Sequence, residues 1–546
     1  MFTSLLKAFE LNNRLDASHY QPVSMAAERK LRAFGELKPL REIVGKGRPI
    51  TNGVRGPDLL PTSYRLIRLQ DCKSFFVNFD ECLTISEKQF QENRRCSVRE
   101  NDVIVAIGGY IGHASVATNV MPSVIGQHSA LLASSEYFDS FYLAAYLNSR
   151  IGALQFQRYV SGTVQQGINL EDVREIPAPL PSSASQKYVG DKVREAGQLR
   201  RLGTQRQKSA ILLLEALLHK TISEDEALRI LPSDRALSQK ADEFSLAAQQ
   251  ATANNCQHLK RQSRVTYFDL TERLDAGFYR PDFLENAKEL ASCGLPLERI
   301  ESLCEKCNCG ATPVDVEYEK DGQGLVRTSD VRPNRFQDKT VVRTKRLNVE
   351  CESPVAAIAG DVLYTMSGTI GYAAVIPETT ETFSFSNTIA RARISRPNNP
   401  WFVAAFFNSS MGYKQSLRLT SGGIQGHVMP NPFKQLWVPV ADPRIQNFIG
   451  AKLQLADKLS RLSERLVASA KLLVEALIER NVTEDELIYA HTRLEQGDES
   501  ADRAILSRLY EGGWDATETR PLFPDMDAYY DILRMVEREQ TEDAAK

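Results

Sequence analysis

Leu15-Asp16-Ala17-Ser18-His19-Tyr20-Gln21-Pro22 returns further along the chain as Leu274-Asp275-Ala276-Gly277-Phe278-Tyr279-Arg280-Pro281. Working outward, the same doubling continues. Asp102-Val103-Ile104, followed by Ile111-Gly112, returns as Asp361-Val362-Leu363, followed by Ile370-Gly371. Asn148-Ser149 with Gly152 returns as Asn408-Ser409 with Gly412, and Ser161-Gly162 as Ser421-Gly422. Ser209-Ala210 through Leu213, Glu215, Ala216 and Leu217 returns as Ser469-Ala470 through Leu473, Glu475, Ala476 and Leu477. The offset stays at 259 or 260, so the copies are collinear. A unit of this length is a domain with a helix attached, not one turn of a solenoid. Two copies of one domain on one chain imply one activity applied at two places on a long partner.

The 546 residues suffice for several domains, and 42% hydrophobic with 25% charged residues is ordinary for a globular protein. The net charge of -2 hides an asymmetry. Residues 481–546 hold 17 acidic and 7 basic residues, a net of -10, and the remainder nets +8 from 60 basic and 52 acidic. A mildly basic body with an acidic tail suits a polyanion or a charge-matched protein. No apolar run approaches the ~18 residues of a membrane span, and Met1 to Glu10 lack the pattern of a secretory leader. A cytoplasmic protein is expected. Nine scattered cysteines then read as mostly free thiols.

Each copy is expected to be a mixed α/β (α+β) module followed by a long helix. In the first, 25–34 reads as helix, 64–69, 102–107 and 114–118 as strands, and 137–149 and 151–159 as helices. Pro177, Pro179 and Pro181 predict a stiff non-helical connector. Residues 185–220 would make a helix of about 50 Å. Its apolar positions Val189, Val193, Ala196, Leu199, Leu202, Leu213 and Ala216 recur as Ile449, Leu453, Ala456, Leu459, Leu462, Leu473 and Ala476. Spacings of 3 and 4 put them on one stripe. Two readings are open: the two helices pack along their length, or each covers its own domain. The duplicated stripe favours the first. The expected division is 1–184, a first domain; 185–222, a long helix; 223–264, a helical and polar linker; 265–442, a second domain; 443–480, a second long helix; and 481–546, an acidic helical tail with a turn at Gly512-Gly513-Trp514.

Catalytic signatures are missing. Gly45-Lys46-Gly47 has neither the spacing nor the Ser/Thr of a phosphate loop, and Gly108-Gly109-Tyr110-Ile111-Gly112 is not a dinucleotide fingerprint. There is no nucleophile elbow and no H-E-x-x-H. Asn431-Pro432-Phe433 lacks the second proline of an amino-methyltransferase signature and reads as a turn. Cys304-x-x-Cys307-x-Cys309, with Cys293 or Cys351 as a fourth ligand, is the one zinc-like cluster. The first copy has no cysteines at 43–47, so free thiols in a loop are the preferred reading. No catalytic and no metal site is expected.

Basic stretches are the stronger signal. Residues 38–73 contain Lys38, Arg41, Lys46, Arg48, Arg55, Arg65, Arg68 and Lys73 against three acids, a net of +5. Residues 326–346 contain Arg327, Arg332, Arg335, Lys339, Arg343, Lys345 and Arg346 against two, again +5. Arg68 and Arg327 align between copies. Phosphates need such charge for affinity, and arginine can read guanine edges. One such run is usually a solvated face; two in related positions point toward nucleic acid. The loop Ser161 to Ile168, with Gln165 and Gln166, is matched by Ser421 to Val428, with Gln425 and His427. Glycines let such a loop approach a partner closely and Gln can read adenine, although a tight turn with solvated side chains is the plainer reading.

These residues carry a resemblance. Asn101-Asp102-Val103-Ile104 and Gly360-Asp361-Val362-Leu363 precede Gly109-Tyr110-Ile111-Gly112 and Gly368-Thr369-Ile370-Gly371. A helix ending in Leu-Asn-Ser or Phe-Asn-Ser, a Ser-Gly-x-x-Gln loop, an Ile-Pro-x-Pro-like connector and a Gln-bearing long helix (Gln186, Gln446) follow. This order resembles the DNA-specificity subunit of type I restriction-modification enzymes over 15–220 and 274–480. The resemblance implies two tandem target-recognition domains reading a bipartite double-stranded DNA site, with the long helices as an antiparallel coiled-coil spacer. It implies no catalytic activity and no cofactor on this chain. It implies recruitment of methyltransferase subunits, two of them, that use S-adenosylmethionine, and in full complexes of motor/nuclease subunits. The linker and the acidic tail exceed that family's minimal pattern, which leaves a related phage-defence system open. The competing reading is a duplicated protein-interaction scaffold that does not itself read DNA; an enzyme with an unrecognised site ranks last.

Overall fold

The computed structural model describes residues 17–45, 47–73, 75–136, 138–161, 166–231, 273–311, 316–345, 356–421, 426–516 and 520–544. The expectations on Leu15, Asp16, Gln165, Gln425, Cys351 and most of the 223–264 linker fall outside the described residues. The principal helices are α1 (Pro22–Phe34), α2 (Ser140–Asn148), α3 (Arg150–Tyr159), α4 (Ser183–Leu218), α5 (Glu224–Ile230), α6 (Pro281–Ala291), α7 (Pro400–Asn408), α8 (Ser410–Arg418), α9 (Pro443–Ile478), α10 (Glu484–Glu495), α11 (Ser500–Leu506) and α12 (Met526–Ala544).

The mixed helix and strand character appears in both copies with one topology. In the first, strand Val103–Ala106 lies between Ser129–Leu132 and Ala114–Val116, antiparallel to both. In the second, Val362–Thr365 lies in the same way between Ile389–Ile394 and Ala373–Val375. Beside each runs a parallel pair, Arg65–Ile67 with Ser123–Ile125 and Tyr318–Val326 with Phe383–Phe385. The central strands are buried on both faces, because side chains alternate between two cores. Val362 and Tyr364 join the cluster that includes Phe402 and Phe406 of α7, whereas Leu363 joins Val326, Phe383 and Phe385. Ile104 and Leu131 do the same in the first copy with Leu66, Ile67 and Val124.

The repeated Asn-Ser-x-x-Gly is the corner between helix and helix. Asn148 ties the end of α2 to the sheet, accepting from Ala114 N (3.1 Å) and donating to Ala114 O (2.7 Å). Asn408 makes the same two bonds with Ala373. Ser149 and Ser409 then cap α3 and α8 by accepting from Gly152 N and Gly412 N. A Cβ at either glycine would lie 2.1 Å from a carbonyl oxygen of the preceding helix, Tyr146 O or Phe406 O. The motif is therefore a geometric requirement of the corner.

The connector is non-helical, as its prolines predict, and part of it is a strand. Pro177–Pro179 is a strand, paired antiparallel with Leu37–Pro39, and Trp437–Pro439 pairs likewise with Leu297–Arg299. Prolines are tolerated because each pair is a two-stranded sheet with free edges. One difference between copies follows. Gln415 brackets Trp437, accepting from its N–H and donating to its carbonyl. At the matching place Pro177 has no N–H and its carbonyl is taken by the Tyr146 hydroxyl at 2.5 Å, so the buried Gln155 amide has no partner.

The chain divides into two compact units, Met1–Arg201 with Leu459–Lys546 and Leu202–Lys458. The break falls within both long helices. Each unit thus holds one copy's domain, the first half of its own long helix and the second half of the other's. In the first unit the halves run antiparallel: Ser182 lies at Glu484, and Ser463 Oγ donates to Ala196 O (2.7 Å). The apolar stripe read from the sequence is buried throughout, except for half-buried Leu202. In the first unit the opening half of α4 lies with its own domain and beside the closing half of α9, so the two readings are not alternatives there.

Four carboxylates, invisible as pairs in the sequence, stitch these units. In the first, Glu475 accepts from Arg150 N at the start of α3 (2.6 Å), and Glu484 accepts from Ser182 N at the start of α4 (2.6 Å). In the second, Glu215 accepts from Ser410 N at the start of α8 (2.9 Å), and Glu224 accepts from Asp442 N at the start of α9 (2.7 Å). Each is an anionic cap on a helix N-terminus supplied by the opposite copy. This gives the repeated Glu-Ala-Leu its reason.

Glu215 also pairs with His219 at 3.4 Å. The bond to Glu215 raises the His219 pKa. Burial pushes Glu215 up, but His219 and the Ser410 amide outweigh it and the net shift is down. A raised histidine contributes fully below the unfolded value near pH 6.5 and is lost as pH rises through its folded pKa. The depressed carboxyl limits the same window on the acid side. His219→Gln is therefore expected to lower thermal stability by about 0.5 kcal/mol at pH 6 and by nothing measurable at pH 9. An equal loss at both pH values would show that packing, not charge, is at work.

Residues 481–546, expected as an acidic helical tail, are helical at α10, α11 and α12 and belong to the first unit. Asp502 of α11 is fully buried and accepts from Tyr188 and Lys192 of α4 and from Tyr530 of α12. Tyr529 donates to Glu195 at 3.1 Å. Gly513–Trp514, expected as a turn, is a strand paired with Leu509–Tyr510. The domains also meet their helices differently. In the first unit Phe76 rests against Gly197, where a Cβ would lie 2.8 Å from the ring. In the second, Arg335 and Asp457 form an ion pair (2.9 Å) at the corresponding positions.

Cys304–Cys309 is a strand rather than a loop, with a bulge after Cys304 and all three thiols packed against the core. The seven described cysteines are free. Among the described residues no group of three or more His, Cys, Asp or Glu is placed to hold a metal ion. Pro430–Lys434, read as a turn, is a short helix. Among the described residues no helix is long and apolar enough to cross a membrane.

Candidate nucleic-acid interface

In each unit three segments that are far apart in sequence meet at one end of the central sheet. The first is the glycine turn after the central strand. In the first unit Ile107 N donates to His128 O (2.8 Å), and Ile168 N donates to Ile107 O (3.0 Å). Gly108 bridges to Gly167, so the turn lies against the Ser161 to Ile168 loop. That loop is closed at its base by paired bonds between Ser161 and Gly167, both 2.9 Å. The third segment follows Arg68: a Cβ on Gly109 would lie 3.6 Å from Leu69. The second unit repeats the arrangement. Val428 N donates to Met366 O (2.8 Å), Ser367 and Ser421 each bridge to His427, and Gly368 lies beside Thr328. The His427 Nδ1 is also hydrogen-bonded to the Ser367 hydroxyl.

The candidate residues divide by what they touch. Gln166 and His427 are exposed on the loop bases, and Leu69 and Thr328, which follow Arg68 and Arg327, adjoin the glycine turns. Arg68 forms a two-pronged bond with buried Asp71 (3.0 and 2.9 Å) and reaches Glu81 O; Asp71 holds the guanidinium pKa above its usual value. Arg327 has the same place, with Asp330 at 3.6 Å and Thr340 O at 3.0 Å. Three other arginines are internal braces. Arg48 clasps buried Asp102 at 2.9 and 2.8 Å, Arg335 pairs with Asp457, and Arg343 pairs with Glu381. The half-buried Arg65 has a buried Nε without a partner. Arg55, Arg332 and Lys339 are exposed, and Lys73 lies on strand Cys72–Lys73. The two +5 stretches therefore offer less free charge than their composition suggests.

Sequence reading missed the partners of the acids at the other end of the central strands, away from the glycine turns. Asp102 and Asp361 open the central strands, and besides its arginine each accepts from a nearby amide, Arg99 N and Ile358 N. Arg393 clasps Asp361 at 2.7 and 2.9 Å as Arg48 does Asp102. The recurrence of the aspartate was the available signal; its partners were not, since they come from unrelated sequence positions. Tyr110, Gln127 and His128 around the first glycine turn were missed as well.

The duplicated module presents a polar loop base beside a glycine turn at one end of each central sheet. Residues 48–207 match the family described as the type I restriction modification DNA specificity domain. Residues 48–207 are therefore similar to the family that the sequence resembles. It is 26% identical over 159 residues to the EcoBI specificity subunit of Escherichia coli, covering 29% of this chain and 33% of the relative. The match thus spans about a third of that relative's length. Among solved structures it is similar to a type I restriction-modification S subunit from M. genitalium (12% identity, TM-score 0.41, 82% of this chain and 96% of the other). It is also similar to the HsdS subunit from Thermoanaerobacter tengcongensis (13% identity, TM-score 0.25, 82% and 97%).

Proposed function

We propose that this chain is the non-catalytic DNA-reading subunit of a type I restriction-modification or related phage-defence complex. Its two domains read the halves of a bipartite double-stranded site. The observation that carries this is the duplicated cluster of glycine turn and polar loop base, with the segment after Arg68 or Arg327 beside it, built once in each unit; the first lies within residues 48–207, which match a DNA specificity domain. The long helices α4 and α9 serve as an antiparallel spacer between the readers, as their paired halves within each unit suggest. Methyltransferase subunits holding S-adenosylmethionine, and in a full complex motor/nuclease subunits, are the partners. The protein acts where the DNA is, in the cytoplasm.

Arginine and glutamine contacts to base edges supply about 1–3 kcal/mol of discrimination each, and phosphate contacts set a salt-dependent affinity. The test is genome-wide adenine and cytosine methylation in the native cell with and without this chain. Loss of methylation at one split motif on deletion is the expected result, and it reveals both half-sites. Unchanged methylation, with no salt-sensitive DNA retention by the purified chain, would leave the scaffold reading in its place.

A further inference from the structure

We infer that Tyr110 is a base-contacting residue of the first domain, its ring packing against a base edge of the first half-site. This rests on the DNA-reading function proposed above. Tyr110 stands at the tip of the first glycine turn and is 81% exposed. Among the described residues its hydroxyl has no hydrogen-bond partner and its ring no aromatic or cationic neighbour. The turn beneath it is rigid. Gly112 N donates to Ala106 O (2.9 Å), His113 N to Tyr110 O (3.1 Å) and Ala106 N to His113 O (2.9 Å). Gly109 and Gly112 have φ of 66° and 86°, a region glycine occupies without strain. A Cβ on Gly112 would lie 2.9 Å from the Phe156 ring, so α3 pins the turn from below.

The surroundings are those of a reader. Gln127 and His128 are hydrogen-bonded to each other (2.9 Å) behind Gly108, the Gln166 loop base flanks the turn, and the Arg68 segment lies on its other side. The fold itself does not require an aromatic here. The second unit has Thr369 at this position, its hydroxyl buried without a partner and its carbonyl accepting from Thr365 Oγ1. A tyrosine presented on a stiff turn offers large contact area at little cost in side-chain freedom. In a duplex the base faces are covered by their neighbours, and the ring meets the base edges, where an apolar side chain packs on the thymine methyl.

The experiment presents the full chain with a library of duplexes carrying 30 random base pairs, and sequences those retained. Wild type, Tyr110→Ala and Tyr110→Phe are compared, with a thermal melt on each. Tyr110→Ala is expected to weaken binding through the first half-site by about fivefold to a hundredfold, with an unchanged melt and unchanged preference at the second half-site. Tyr110→Phe is expected to bind within about twofold of wild type, since an apolar contact needs the ring alone. Wild-type affinity in Tyr110→Ala would overturn the inference. Equal loss in the Ala and Phe variants would overturn the ring contact in favour of a hydroxyl contact. If the wild-type chain enriches no motif, the DNA-reading function fails first, and the inference with it.

Discussion

Replacing Lys192 with Met is expected to destabilise the first unit by about 3–5 kcal/mol, the usual consequence of stranding one member of a buried ion pair. Asp502 and Lys192 are 0% and 1% exposed, and their 2.9 Å contact is the carboxylate's one cationic bond among the described residues. The Tyr188 and Tyr530 hydroxyls, each at 2.5 Å, cannot neutralise a desolvated anion. The Lys192 ammonium is held above its ordinary pKa: burial pulls it down, and Asp502 with Glu195 pulls it up by more. Asp502→Asn should cost a similar amount, because it keeps the shape and removes the charge. The double variant Lys192→Met/Asp502→Leu is expected to recover part of the loss, since an apolar pair can replace a buried ion pair but leaves two tyrosine hydroxyls unpartnered. Denaturant unfolding followed through Trp514 in the tail measures all three. A loss below about 1 kcal/mol in the single variants would show that water reaches the pair. In the second copy Lys452, equivalent to Lys192, lies 4.9 Å from the centre of the Phe448 ring. Through Asp502 the tail anchors the first unit.

Local periodicity and repetition were legible because they depend on residues close in sequence or on a constant offset. The stripe from Val189 to Leu199 and the strand at Asp102-Val103-Ile104 belong to this kind. Even here the helix expected from 137 begins at Ser140, because the Asp139 side chain accepts from Phe141 N and Tyr142 N and so caps it. What was not legible is pairing across the chain. Arg335 looked like a DNA contact until Asp457, 122 residues away, was found against it. Arg48 is braced by Asp102 in the same way. A charge run records how many arginines are present, not which carboxylates the fold brings to them. The reciprocal caps from Glu215, Glu224, Glu475 and Glu484 escaped for the same reason: a glutamate on a long helix reads as a solvated face until the opposite copy's helix start is placed beside it. The proline strands escaped because a β-pair that tolerates proline leaves no alternation to detect.

Alanine at Gly152 or Gly412 is expected to destabilise its own unit by about 2–3 kcal/mol, although Gly→Ala inside an unconstrained helix would stabilise it by about 1 kcal/mol. The added methyl would meet the Tyr146 or Phe406 carbonyl oxygen at 2.1 Å, and backbone Cα atoms of Leu147 or Phe407 at 3.0 or 2.8 Å. None of these atoms belongs to a flexible side chain, so relief requires α3 or α8 to move away from the helix before it. That movement would also pull Ser149 or Ser409 off its capping bond and displace Arg150 N or Ser410 N from the glutamate of the opposite copy. The far ends of these helices lead into the loops at Ser161 and Ser421, so the disturbance reaches the proposed DNA interface through a rigid lever. The expected signature is selective: Gly152→Ala weakens reading of the first half-site and Gly412→Ala that of the second, each with a lowered melting temperature. Retained-duplex sequencing and thermal unfolding on the two variants separate the cases. Wild-type stability in both would mean that the corner relaxes without moving its helices, and the Asn-Ser-x-x-Gly repeat would then need another cause.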